Sequence, residues 1–177
     1  MKSEFINIKK IPKLIIIVTL FFIASLFQLI PIRLFHIDIS NITNYQQLLL
    51  TTFSDSILLI ILVFIYYKDL KKDFKKVKEN FNSIIDTGIK YWFIGLIIMV
   101  ISNIFIGLFI TSAKAGNEEG VQQLIHSSRF LSIIAVGILA PIIEELTFRK
   151  AFREVFTNKT LFVLASGLIF GGLHVIL

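Results

Sequence analysis

Four side chains in the last third of the sequence have the types and spacing to do chemistry. Glu144, Glu145 and Arg149 lie in "PIIEELTFRKAF" (141–152), and His174 lies near the end of "TLFVLASGLIFGGLHVIL" (160–177). A carboxylate or an imidazole can take a proton from water and turn it into a nucleophile. A neighbouring carboxylate and guanidinium can tune such a group. Glu145 and Arg149 stand four residues apart, so a helix puts them on one face. Glu144 then points about 100° away around the same helix. All four are embedded in apolar sequence, where an ionised side chain costs about 2.5–3.5 kcal/mol or more at bilayer depth. Each has a structural reading: Glu145 and Arg149 as an ion pair, His174 as a helix–helix hydrogen-bond partner. It is the combination that points to a site.

The elements that must position these residues are membrane helices. The chain has 177 residues, 55% of them hydrophobic, with 18 phenylalanines and a mean hydropathy of +0.82. That is too apolar for an ordinary soluble domain. A spanning helix needs about 20 mostly apolar residues, and five stretches qualify: roughly 12–31, 48–67, 91–113, 129–156 and 160–177. The predicted fold is all-α, a polytopic membrane helical bundle of about five transmembrane helices, read as a single domain over 1–177 with its motif-bearing core at about 129–177. The natural turn between the last two helices is "TNK", 157–159. At about 1.5 Å per residue, Glu144 and His174 lie about 21 and 24 Å from it on antiparallel helices. The two are therefore expected to face each other at one depth. Pro141 is expected to kink the fourth helix one turn before the acids. Gly167, Gly171 and Gly172 are expected to let the fifth approach a neighbour closely.

Charge placement fixes an expected topology. With the N-terminus inside, fifteen of the eighteen Lys and Arg residues fall on inner segments and three, Arg33, Lys114 and Arg129, fall outside. This asymmetry predicts a multi-pass protein of the cell membrane with a cytoplasmic N-terminus. The basic charge follows the loops, so the expected partners are the lipid bilayer and no nucleic acid. The inner segment "KDLKKDFKKVKENFNSII" reads either as an amphipathic helix on anionic lipid or as a solvated basic loop. Asp55, within "TTFSDS", reads as part of a polar packing patch. No cysteine is present, which excludes disulfides, a thiol nucleophile and thiolate metal ligation.

The string "EELTFR" fits Glu-Glu-x-x-x-Arg, and "FGGLH" fits Phe-x-x-x-His about twenty residues later on the next hydrophobic helix. Together, with Pro141 and Phe148 in the first, they resemble the CPBP family of intramembrane proteases. That family includes the type II CAAX prenyl endopeptidases and the Abi-like bacteriocin-processing and self-immunity proteins. The resemblance implies that Glu144 and His174 activate the attacking water, that Glu145 and Arg149 complete the first motif, and that Phe170 packs rather than reacts. It implies a peptide or membrane-protein substrate. The family is often described as metallopeptidase; if a divalent metal such as zinc is bound, Glu144 and His174 are its ligands here, and a glutamate-activated water without metal is the competing account. Lys150 stands where the family usually has glycine. The family's third motif, a His followed four residues on by Asn or a similar residue, belongs to a later helix, and the sequence ends before it. The expectation is therefore a chain lacking its C-terminal helices and inactive alone. Two other classes fit the same residues: a non-catalytic membrane scaffold or immunity protein that keeps the fold, and a small transporter using the carboxylates as a proton or cation site.

Overall fold

The computed structural model describes residues 5–109, 122 and 125–176, with the backbone alone for 103, 106, 107, 109 and 173–176. The described residues are mostly helical, without a strand. Five long helices carry most of them: α1 (Ile8–Leu34), α2 (Asn44–Glu79), α3 (Phe81–Phe109), α4 (Arg129–Val155) and α5 (Lys159–Ile176). Four of these contain stretches long and apolar enough to cross a membrane, and α5 is a shorter apolar helix over Lys159–Gly172. The chain divides into two compact units, residues 1–65 with 115–177, and residues 66–114.

Local sequence sets the helix ends. Thr43 and Gln46 form a reciprocal capping box before α2: Gln46 N–H donates to Thr43 Oγ1 at 3.2 Å and Thr43 N–H to Gln46 Oε1 at 2.9 Å. Ser128 caps α4 by accepting from Leu131 N–H. Asn158 caps α5, its Oδ1 accepting from Thr160 N–H at 2.9 Å and Leu161 N–H at 3.1 Å. After α1, His36 takes a left-handed conformation (φ 51°) and Ile37 N–H donates to Ile32 O, the pattern that commonly stops a helix.

In the first unit, α1, α2 and α4 carry most of the core. Ile17 and Ala24 are buried from α1, and Leu48, Leu50, Leu58 and Leu62 from α2. From α4 come Ile143, Leu146, Phe148, Ala151, Phe152 and Val155. That half of α4 also carries the charges, and helical spacing resolves the paradox. Glu145, Arg149 and Arg153 lie on the exposed side while the apolar residues between them face inward.

The N-terminal segment is strapped to the end of α4. Asn7 N–H donates to Val155 O at 2.7 Å and Thr157 N–H to Phe5 O at 3.1 Å, with a bridge between Ile6 and Phe156. Lys13 Nζ donates to both carboxylate oxygens of Glu154, at 2.9 and 3.0 Å, and Lys10 stands 3.5 Å from it. Nothing in the sequence pattern marked this clasp.

In the second unit the segment read as a helix or a loop is helix. Asn80, between α2 and α3, donates to Lys76 O and accepts from Ile84 N–H, so helical hydrogen bonding continues through it. The apolar side chains of α3 are exposed along its length, Trp92, Ile97, Ile101 and Ile104 among them. A helix apolar on every side suits a hydrocarbon surrounding.

Candidate active site

The residues of the first motif divide between two cavities. Glu144 is half-buried and lines one of about 280 Å³ inside the first unit. Its other polar wall residues are Ser25 and Gln28 of α1 and Thr51, Ser54 and Asp55 of α2. Arg149 lines a second cavity, of about 320 Å³, against Phe162, Ser166 and Phe170 of α5. Its guanidinium is 3.2 Å from Glu145, the ion pair the four-residue spacing predicts. Both partners are exposed on their outer face, so the pair carries little stability by itself.

Departures from regular α-helix surround the Glu144 cavity. α1 tightens to a 3₁₀ turn over Ala24–Gln28, the turn that carries Ser25 and Gln28. α4 widens to π-helix over Ile133–Leu139 and again over Glu145–Lys150. Ala140 N–H reaches back to Ala135 O and Ala151 N–H to Leu146 O, five residues in each case. Pro141, which has no N–H to give the ladder, lies in the short α segment between the two wide turns. Such π-turns are frequent at functional sites, because each rotates the side chains that follow out of the regular helical register.

The turn between α4 and α5 falls at residues 157–158, as the sequence predicts. Phe148 and Phe170 meet across the hairpin with ring centroids 5.9 Å apart, and the Arg153 guanidinium lies 5.6 Å from the Phe162 ring centroid. These pairs are centred on the turn, so the helices run antiparallel. Phe148 is one turn beyond Glu144, and Phe170 one turn before His174. Continuing the register by that turn brings the Glu144 and His174 backbones to one level. The His174 side chain lies outside the described residues, and so does the predicted contact with Glu144. Two other expectations fare differently. A Cβ added at Gly167, Gly171 or Gly172 would meet nothing within 4 Å, so these glycines are not points of close helix approach among the described residues. Asp55, read as packing, instead shares a cavity with Glu144. The signal was present as an acid inside an apolar run; what the sequence lacked was the pairing of α2 with α4.

Residues 126–177 match the model of the Rce1-like family, described as type II CAAX prenyl endopeptidase Rce1-like. The motif-bearing segment is thus similar to the protease family its two motifs resemble. The Rce1-like segment begins at the foot of α4 and takes in both motifs, the turn and α5. The chain is also 32% identical, over 132 residues, to an uncharacterized protein of Mycoplasma capricolum subsp. capricolum. That alignment covers 67% of the chain and 38% of the relative's length. No solved structure matches the chain.

Proposed function

We propose that this chain carries the water-activating half of an intramembrane endopeptidase that cleaves a peptide or membrane-protein substrate. The observation that supports it best is the position of Glu144: the first acid of Glu-Glu-x-x-x-Arg, in a segment similar to Rce1-like proteases, lines a cavity of mixed polar and apolar walls within a bundle of apolar helices. Glu144, with His174 at the same helical level, takes a proton from water. The resulting hydroxide attacks the peptide carbonyl, and the proton passes to the departing amine as the C–N bond breaks. Glu145 and Arg149, paired one face away, complete the first motif and set the charge near Glu144. A metal, if used, would draw on Glu144 and His174. Among the described residues, which do not include the His174 side chain, no three His, Cys, Asp or Glu side chains come together as a metal site. The finer setting we propose is bacteriocin processing or self-immunity.

The test is cleavage of quenched-fluorescent transmembrane peptides by purified protein in liposomes, using residues 1–177 and any longer product of the gene. Residues 1–177 contain no third motif after His174. Loss of one oxyanion donor alone costs about 10²–10³ in rate and loss of a whole motif more, so residues 1–177 alone should show little or no cleavage. In an active product, Glu144→Gln and His174→Ala should each lower kcat by about 10² or more, and Glu145→Gln by less. A chelator arm decides the metal question. Full activity in Glu144→Gln would end the protease reading and leave the non-catalytic scaffold in its place.

A further inference from the structure

The carboxylate of Asp55 poses a problem that the proposed hydrolysis does not absorb. Asp55 lies eleven residues into α2, about 16 Å along the helix from Asn44. That is inside the apolar span, where an uncompensated carboxylate is costly. Other acids of the same unit are compensated: Glu145 by Arg149, Glu154 by Lys13 and Lys10, and Asp38 by Ser40 and Asn41. Asp55 has no hydrogen bond or ion pair among the described residues.

The hydroxyls around it do not serve. Thr52 Oγ1 donates to Leu48 O at 2.7 Å, Ser54 Oγ to Thr51 O at 3.0 Å, and Ser56 Oγ to Thr52 O at 2.7 Å. Each of these three hydroxyl protons is committed to a backbone carbonyl of α2, so none of the three serves the acid. What Asp55 does face is the cavity it shares with Glu144. The walls there are mixed. Gln28 and Ser25 offer hydrogen bonds, while Phe21, Leu58 and Ile143 offer apolar surface. The unit thus presents a carboxylate without a cation, in a space with room for a side chain, beside the residue proposed to activate water.

We propose that Asp55 is a specificity-determining residue of this site and that its missing partner is a cationic group on the substrate: a lysine or arginine side chain, or a free amine, of the peptide. The inference rests on the protease reading for the word substrate, but not for the charge preference, which is a property of the cavity. A basic peptide entering the cavity gains a charge-assisted hydrogen bond in a poorly screened space. An acidic peptide meets the Asp55 carboxylate there.

The experiment uses the 177-residue chain in nanodiscs and three photo-crosslinking peptides. They are hydrophobic nonapeptides, identical except for one central residue: Lys, Gln or Glu. The Lys peptide should label the chain about tenfold more than the Gln peptide, the scale of one charge-assisted hydrogen bond, and the Glu peptide least. Labelled residues should map to the cavity, on Phe21–Gln28 or Thr51–Leu58. Asp55→Asn should erase the preference, and Asp55→Glu should restore most of it; melting and gel filtration report whether each variant is folded. If Asp55→Asn does not fold, the ranking of the three peptides on the natural chain decides alone. Equal labelling by the three peptides, or an undiminished Lys preference in folded Asp55→Asn, overturns the proposal. The two readings separate cleanly. A Lys preference in a protein that cleaves no peptide would sink the protease and keep the cationic site. Cleavage abolished by Glu144→Gln but indifferent to substrate charge would do the reverse.

Discussion

Thr147 stands three residues after Glu144, fully buried, and its hydroxyl has no hydrogen-bond partner among the described residues. Burying an unsatisfied hydroxyl costs about 1–3 kcal/mol, and replacing it with a methyl relieves that cost. Thr147→Val is therefore expected to stabilise the folded chain by about 1 kcal/mol, read as a rise in melting temperature in detergent. Asp38 gives a contrasting case in the exposed loop after α1. The Ser40 hydroxyl, then the Asn41 amide, then the Ser40 N–H hold its carboxyl below the usual value of 3.8. A depressed carboxyl supports structure above its unfolded value and loses that support as pH falls through its folded one. Protection of the Ser40 amide from hydrogen exchange, corrected for the intrinsic rate, should thus persist at neutral pH and fall in acid below about pH 4. The residue alphabet made both Glu144 and Asp55 visible as acids in apolar sequence. It could not say that they meet, because the helices carrying them are nearly ninety residues apart.

Helix ends and helix register form the next scale. All five helices follow from the apolar runs, and the Asn158 cap was legible as part of "TNK". Asn158→Ala should cost about 1 kcal/mol and raise amide exchange at Thr160 and Leu161. The predicted membrane span ended at about residue 67, with the lysine segment after it left as helix or loop; α2 runs on through the lysines to Glu79. Lysine is a good helix former, and its charge reaches water without unwinding the backbone. The two π-turns of α4 were not legible. Pro141 marks where a ladder bond is lost, yet the backbone can answer with a kink or with wide turns, and packing chooses. The clasp of Lys10 and Lys13 on Glu154 was equally hidden, since the partners are 144 and 141 residues apart. Glu154→Gln should cost about 1 kcal/mol, because the pair is only partly screened by solvent. It should also expose residues 5–13 to limited proteolysis.

For the whole molecule the question is sidedness. The hydrogen bonds between the N-terminal segment and the α4–α5 turn put those two segments on one face of the membrane. Single cysteines at Lys9 and Thr157 should accordingly label from the same side of sealed vesicles; labelling from opposite sides would contradict the clasp. We propose that this side is the cytoplasm, on the distribution of lysine and arginine. A cysteine at Lys72 should therefore resist a membrane-impermeant reagent added outside intact cells. Free access there would reverse the proposed topology.

The sequence by itself determined that this is an all-helical membrane protein, and it singled out Glu144 as an acid within an apolar run. Both follow from local quantities: the length of apolar runs against the thickness of a bilayer, and the cost of an acid inside them. It also determined the α4–α5 hairpin, since a short turn between two helices leaves one arrangement and helical rise then sets the register. The tertiary structure alone decided that Glu144 shares its cavity with Asp55, Gln28 and Ser25 while Arg149 lines another against α5. That choice depends on which faces of α1, α2 and α4 interlock. Apolar periodicity identifies a face that packs but does not name its partner, and the π-turns re-aim the very residues whose direction matters.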